Sequence, residues 1–250
     1  MKNFKQLDVN PHLIEITNPR IGVVTLSTDF TIEQDFRRIC HNIPIDIFVN
    51  RIPFENPLNH ENYLKMSEHL PKIVGDILPD QKLDVVAYGC TSGTVAIGEE
   101  KIKSQIHKSK PGVYVTTPIT AAISAFKKLD INKIAILTPY PKLVNETVFN
   151  YLQELSIEID SFIGFNLEYD SDIASVDPQN LIRTIKNIDY VDVDAIFVSC
   201  TALRIVEVLQ EIEDLIKKPI ISSNQALIWD SIRSSKIQSS IKGYGKLLLN

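Results

Sequence analysis

This chain of 250 residues is poor in the features that would give a function away at once. It has three cysteines, too few for a disulfide framework, so its core has to form by burial alone. No stretch approaches the ~18 consecutive apolar residues of a membrane helix. The N-terminus from Met1 to Asp8 is polar and lacks the apolar run of a signal peptide, so a cytoplasmic location is expected. Neither sign of charge dominates. The 26 basic and 31 acidic side chains leave a net charge of −5, which gives no global attraction to phosphate backbones or anionic lipid. Neither nucleic acid nor membrane is an expected partner.

Cofactor signatures are missing as well. There is no C-x-x-C, no H-E-x-x-H and no His, Cys and carboxylate cluster at ligand spacing, so no metal is expected. Gly89 and Gly93 do not make G-x-G-x-x-G, and no Walker lysine follows a glycine loop, so no nucleotide cofactor is expected. His12, His41, His60, His69 and His107 all lie outside the strand-end turns described below, which disfavours a Cys–His hydrolase.

What is present is an alternation of short Val/Ile-rich runs with amphipathic stretches. Strands are predicted at Ile21–Leu26, Asp46–Ile52, Val85–Tyr88, Val113–Thr116, Ile134–Thr138, Glu158–Phe165, Ala195–Val198 and Ile220–Ser222. Most are continuous apolar runs, the pattern of parallel strands covered on both faces. Between them, apolar residues recur at helical spacing, as in Val144, Val148, Tyr151 and Leu155. Strand–helix alternation implies parallel sheets with right-handed crossovers.

The chain also repeats itself. Arg20–Phe36 matches Lys133–Phe149: a basic residue, a strand, a polar turn and an amphipathic helix. Pro44–Pro53 then pairs with Glu158–Leu167, Leu83–Gly93 with Val193–Leu203, and Lys110–Ala121 with Lys218–Ile228. Four matches in the same order indicate a duplicated α/β lobe. The expected fold is therefore two Rossmann-like lobes, each with a parallel four-stranded sheet, related by a pseudo-two-fold axis with the active site between them. Residues 1–118 with 225–250 would form the lobe carrying Cys90, and residues 119–224 the lobe carrying Cys200. Ligands of open α/β sheets bind beyond the carboxyl ends of the strands, so each lobe would offer the same strand-end residue to one pocket.

That residue is a cysteine both times. Cys90 lies in Tyr88-Gly89-Cys90-Thr91-Ser92-Gly93 and Cys200 in Val198-Ser199-Cys200-Thr201-Ala202-Leu203. Each follows a strand and precedes a helical stretch, where the macrodipole and free N–H groups favour a thiolate and pull its pKa below about 8.5. The N–H groups of Thr91, Ser92, Gly93, Thr201 and Ala202, with the Thr and Ser hydroxyls, would cradle a carboxylate. Either cysteine alone reads equally well as a small buried residue; it is the pairing that points to chemistry. Cys40 has no counterpart and is expected to pack. Asp29, in the turn after the first strand, can orient a thiol, bind an ammonium or cap the following helix. Tyr140, in the equivalent turn, can donate to a substrate carboxylate or serve the turn. Trp229 is expected in the core, and Lys101, Lys103, Lys108 and Lys110 on a solvated helix face.

The motifs Gly89–Gly93 and Ser199–Thr201 resemble the paired cysteines of the aspartate/glutamate/hydantoin racemase superfamily. With Arg20–Gly22, Asp29–Phe36, Thr138–Tyr140, Pro219–Trp229 and Gly243–Gly245, the chain looks most similar to the branch of maleate cis-trans isomerases and arylmalonate decarboxylases. The resemblance implies a cofactor-independent isomerase of a small carboxylic or dicarboxylic acid, with Cys90 as nucleophile and Cys200 as acid/base. It leaves two alternatives. One is racemisation of an amino or hydroxy acid by two opposed thiol bases. The other is arylmalonate-type decarboxylation, against which the presence of both cysteines weighs. It also implies a homodimer or higher oligomer. Maleate isomerases carry asparagine where this chain has Asp29, and their second-lobe asparagine falls nearest to Asp170–Asp172.

Overall fold

Eight strands form in the predicted places. The computed structural model describes residues 5–188 and 190–250, so the first half of the polar stretch from Met1 to Asp8 lies outside the described residues. The first sheet contains β1 (Arg20–Leu26), β2 (Asp46–Ile52), β3 (Val85–Gly89) and β4 (Tyr114–Thr116), in the order β2-β1-β3-β4. The second contains β5 (Lys133–Thr138), β6 (Glu158–Gly164), β7 (Ala195–Val198) and β8 (Ile220–Ser222), in the order β6-β5-β7-β8. All pairings are parallel, and the second order is the first with each strand moved on by four. Two sheets with one topology are what the sequence repeat requires.

The inner strands carry the core. β3 and β7 are buried along their whole length, and β1 and β5 are buried beyond their first residue, as expected of strands covered on both faces. The edge strands β2 and β6 are partly exposed and alternate more. Helices cover the sheets: α1 (Ile32–Ile39), α2 (His60–Ser67), α3 (Leu70–Gly75), α4 (Thr91–Ile97) and α5 (Glu99–His107) in the first half, then α6 (Pro118–Leu129), α7 (Lys142–Glu154), α8 (Asp170–Ala174), α9 (Pro178–Lys186), α10 (Leu209–Ile216) and α11 (Ser223–Ser234).

Small polar devices recur at equivalent places. The Asp84 carboxylate accepts from the backbone N–H of Arg20, and the Asp194 carboxylate from those of Asn132 and Lys133. Each ties the loop before β3 or β7 to the start of the neighbouring strand. Lys110 Nζ donates to the carbonyls of Leu78 and Gln81, at 2.8 and 2.9 Å, and Lys218 Nζ to those of Val191 and Val193. Lys110 is buried, which corrects the expectation of a solvated lysine. Its apolar stem packs, and its ammonium replaces water as donor to two turn carbonyls. Lys101 and Lys103 are exposed as expected.

Helices α6 and α11 pack on each other and join the two halves. Both begin with a reciprocal cap: the Thr117 hydroxyl accepts from the Thr120 N–H, and the Ser222 hydroxyl from the Gln225 N–H, while the Thr120 and Gln225 side chains accept from the capping residues' own N–H groups. Helix α11 also packs against β3 and β4 of the first sheet. Trp229 lies on it, buried, and its Nε1 donates to the Asn250 carbonyl, which ties the C-terminus to the core. Thr117→Ala removes one of the paired caps and is expected to lower unfolding stability by about 1 kcal/mol in urea titration, with the fold unchanged by circular dichroism.

Candidate active site

The inner strands β1, β3, β5 and β7 end at Asp29, Cys90, Tyr140 and Cys200 within a few residues of their last paired positions. All four side chains are buried. Gly89 makes the approach possible on the first side. A Cβ there would lie 2.5 Å from Ile32 Cδ1 and 3.3 Å from the Val24 carbonyl oxygen, so a glycine lets the start of α1 close over the end of β3 without displacing the Ile32 side chain. The turn holding Asp29 thereby comes into electrostatic reach of Cys90.

Cys90 is the N-cap of α4, and its Sγ accepts from the Gly93 N–H at 3.2 Å. Tyr88 and Ser92 lie within electrostatic reach of this thiol, while their hydroxyls donate to Met66 Sδ at 3.7 Å and to the Tyr63 hydroxyl. Gly93 leaves the sulfur its room: an added Cβ would sit 2.7 Å from Sγ and 3.0 Å from the Tyr88 hydroxyl. Cys200 has the same kind of contact, accepting from the Ala202 N–H at 3.3 Å, and the buried Tyr140 side chain lies close enough to act on it electrostatically. Its setting differs from the expectation of a second helix N-terminus. Residues 201–203 form a bend and Ile205–Glu207 a 3-10 turn, and α10 starts only at Leu209. The helix dipole therefore serves one thiol and not the other.

The pKa expectation is also corrected. Burial pushes the Cys90 thiol up to about 12, and the Gly93 N–H only partly offsets this. Burial raises Cys200 as well, against the opposing pull of the Ala202 N–H. Charge from Asp170 disfavours both thiolates. A thiol sealed from water loses more hydration than one or two N–H groups return. Cys40 is also raised to about 12, by burial alone; it closes the C-terminus of α1 and packs there, as expected.

The hydroxyls expected to cradle a carboxylate are engaged with protein. Thr91 Oγ1 donates to Ser223 Oγ at 2.8 Å, Ser92 Oγ to the Tyr63 hydroxyl at 2.8 Å, and Thr201 Oγ1 weakly to the Gly89 carbonyl at 3.5 Å. Two of these bonds cross from one repeat to the other. So do those from Thr31 to the Thr201 carbonyl, from Thr28 to Asp170 and from Asn224 to Asp35. Asp29 performs one role read for it, since its Oδ1 accepts from the N–H groups of Thr31 and Ile32 at 2.8 and 2.9 Å at the start of α1. Its Oδ2 is buried and has no partner among the described residues.

Sequence reasoning missed Tyr63 and Asp35; Asn224 lies in the Ser222–Gln225 stretch, whose hydroxyls and amides the sequence offers for shaping the pocket and capping helices, and it does the first. Tyr63 stacks on Phe54 with ring centroids 5.4 Å apart and reaches the site from α2, an element that the repeat does not include. Asp35 reads as one more polar residue in an amphipathic helix; it is buried and accepts from Asn224 Nδ2 at 2.8 Å. A buried acid three residues beyond the apolar Ile32 gives no periodic signal. Next to the site, loop 57–60, α4 and α7 enclose a mainly apolar cavity of about 220 Å³, whose wall includes Tyr63 and Ser92.

Residues 83–248 match the arylmalonate decarboxylase family. The chain belongs to that family. Among its relatives, the maleate isomerase of Geobacillus stearothermophilus is 23% identical over 243 residues, which is 92% of this chain and 96% of that enzyme. Two solved structures share the fold. The maleate isomerase Iso of Pseudomonas putida S16, a cysteine-to-alanine variant with maleate, has a TM-score of 0.86 at 21% identity, covering 93% of this chain and 98% of its own. The Nocardia farcinica maleate cis-trans isomerase, a cysteine-to-serine mutant with a covalently bound succinylcysteine intermediate, has a TM-score of 0.85 at 19% identity, with the same coverage.

Two outcomes follow from the geometry. Gly93→Ala fills the space beside Cys90 Sγ and is expected to lower kcat/KM by about 10²-fold while the melting temperature changes little. The second concerns stability. Burial raises Asp29 to about 6 and Asp35 to about 7 from an ordinary 3.8, so the folded chain holds these protons more tightly than the unfolded one. Their stabilisation is complete below the unfolded value and is lost as pH rises through about 6 and 7. In a thermal melt series at rising pH, Asp35→Asn is expected to flatten the decline in melting temperature across that window; an unchanged slope would show that Asp35 does not titrate there.

Proposed function

We propose that the chain is a cofactor-independent isomerase of a small carboxylic or dicarboxylic acid, working as the maleate isomerases do, with Cys90 as nucleophile and Cys200 as acid/base. The observation that carries the reading is the pair of buried thiols at equivalent ends of β3 and β7, each with a backbone N–H directed at its sulfur. Family membership and the succinylcysteine of the Nocardia farcinica enzyme support it.

The steps balance without an outside reagent. Cys90 Sγ adds to one carbon of a cis double bond, forming an S–C bond, and the π electrons move to the other carbon and into its carboxylate as an enediolate. Cys200 delivers a proton to that carbon, and the Cys90 proton restores Cys200. The former double bond is now single and rotates. In the reverse sense Cys200 passes its proton to the departing Cys90 sulfur and takes back the proton from carbon, the S–C bond breaks and the trans alkene is left. Substrate-binding roles fall to the N–H groups of Thr91, Ser92, Gly93, Thr201 and Ala202, and to Tyr140. Donors fixed before reaction stabilise a developing oxyanion most effectively where water is excluded.

One observation favours a second reading, racemisation of an α-amino or hydroxy acid. The two thiols have matched contacts, as opposed bases need. Solvent deuterium at the α-carbon without alkene chemistry would establish it. The proposal also carries a homo-oligomer located in the cytoplasm. The exposed Leu7, Val9, Leu13 and Ile14 of the N-terminal stretch are apolar surface that such an assembly would cover.

Cys90→Ala is expected to abolish cis–trans conversion of a small diacid followed by proton NMR. Activity within a few-fold of wild type would sink the nucleophile assignment. Cys200→Ala is expected to lower turnover by about 10²–10⁴-fold, the range for loss of a general acid–base, while still permitting thioether formation at Cys90 visible by intact mass.

A further inference from the structure

The charges that bear on Cys90 come from two acids, Asp170 and Asp29. Both are buried, and they repel each other. They are not equally satisfied. Asp170 Oδ2 accepts from the Thr28 hydroxyl. Asp29 Oδ1 takes two backbone N–H groups, while its Oδ2 is buried with no donor among the described residues, although the residue is only 5% exposed. A buried acceptor without a donor is costly, more so when charged. The cation acting on Asp29 does not fill that vacancy. Arg51 places Nη1 on the Asp29 carbonyl at 2.8 Å and Nη2 on the Glu33 carboxylate at 2.6 Å. Around Asp29, then, stand Arg51 from β2, Asp35 from α1, Cys90 at the end of β3 and Asp170 from α8.

A dianion entering this site would bring a second carboxylate against two buried acids. A group that donates hydrogen bonds would instead complete the vacant Asp29 oxygen. We infer that the substrate is a small acid with a single carboxylate, whose other end is a hydrogen-bond-donating nitrogen, an amide or an ammonium, held by Asp29 beside Asp170. The inference rests on the isomerase reading above and narrows it. The carboxylate goes to the N–H groups after the cysteines, the nitrogen to Asp29, and the reacting double bond lies between them over Cys90. Asp29 acts here as a specificity residue. Its raised pKa of about 6 is consistent with a carboxyl awaiting a donor, and it leaves the group ionised at the pH of the test below.

Three cis alkenes on one carbon frame separate the possibilities: maleate with two carboxylates, maleamate with one carboxylate and one amide, and cis-4-aminocrotonate with one carboxylate and one ammonium. Binding is measured by isothermal titration to Cys90→Ala protein, and turnover of wild type by proton NMR, near pH 7.5, above the Asp29 value of about 6. One of the nitrogen acids is expected to bind about tenfold or more tighter than maleate and to exceed it in kcat/KM by a similar factor. Preference for maleamate assigns a neutral donor, and preference for aminocrotonate a cationic one. Asp29→Asn, which keeps an oxygen for the Thr31 and Ile32 N–H groups, is expected to shift the ratio toward maleate by at least about tenfold. Should that protein fail to fold, Asp170→Asn reads the same ratio.

The inference is overturned if maleate binds wild type best. It is overturned equally if maleate turnover rises as pH falls through about 6, which would mean that protonated Asp29 serves a dianion. An unchanged ratio in the folded variant has the same force. Absence of cis–trans conversion with all three acids would instead sink the isomerase reading, while the order of the binding constants still decides the inference.

Discussion

The structure depends on one constraint: a polar group brought to the facing strand ends leaves water, and its lost hydration is returned by a partner inside the protein or, as at Asp29 Oδ2, is left outstanding. Two parallel sheets that present their carboxyl ends to each other bury two thiols, the acids Asp29, Asp35 and Asp170, and the phenols of Tyr63, Tyr88 and Tyr140 in one region. Burial raises all eight, because the charged form of each loses hydration. The hydrogen bonds between the repeats follow from that requirement. Asn224 donates to both Asp35 and the Thr201 carbonyl, and so ties α11 to α1 and to the turn after Cys200 with one side chain. Such bonds add little net stability when made, yet are costly to lose, because the abandoned partner stays buried. They therefore fix the relation of the two halves more than they strengthen it.

The constraint also accounts for the difference between the two cysteine turns. Helix α4 runs directly from Cys90 and offers its first N–H groups to the site. After Cys200 the chain has to bring the Thr201 carbonyl round to Thr31 and to Asn224, and a continuing helix would have pointed that carbonyl along its own axis. The bend at 201–203 and the delayed start of α10 are the local consequence. A duplicated lobe thus yields two thiols with similar contacts and unlike electrostatics, a natural starting point for different roles in one reaction.

Much of the fold was legible in the sequence because it is written in periodicity. Continuous Val and Ile runs mark strands covered on both faces, and the matched order of turns reveals the duplication. Positions such as Asp84 and Asp194, or Lys110 and Lys218, recur because the same loop geometry needs the same donor or acceptor twice. The site was legible where it shares in the repeat: Asp29, Cys90, Tyr140 and Cys200 all stand at strand ends. What escaped lies outside the repeat or away from its strand ends. Tyr63 comes from α2, and Asp35 is an acid buried on the inner face of α1 beside Ile32, Phe36 and Ile39, where its type gives no sign of burial. The helix expected after Cys200 failed for a related reason, since the demand for the Thr201 carbonyl comes from the opposite half. The pKa direction of the cysteines was misread because a helix end is visible in sequence and the depth of burial is not.

The raised thiol bears on how the proposed reaction starts. Ionising Cys90 at pH 7 from a pKa of about 12 costs roughly 7 kcal/mol, out of the ~16 kcal/mol that a turnover near 10 s⁻¹ allows for the whole barrier. A free thiolate waiting in the empty site would be rare. In the proposed addition, however, the sulfur electron pair is consumed as it forms and the charge passes to an enediolate held by backbone N–H groups, while the thiol proton stays within the site. The reaction then needs no standing anion, only a proton path between the two sulfurs and the carbon. A sealed, weakly acidic thiol is protected from solvent oxidants and electrophiles until a substrate supplies both the acceptor for its electrons and a place for its proton. Burial, which looks unfavourable when the thiolate is considered alone, would in the proposed reaction make addition and elimination interchangeable, because neither side of that step would leave a net charge stranded away from water.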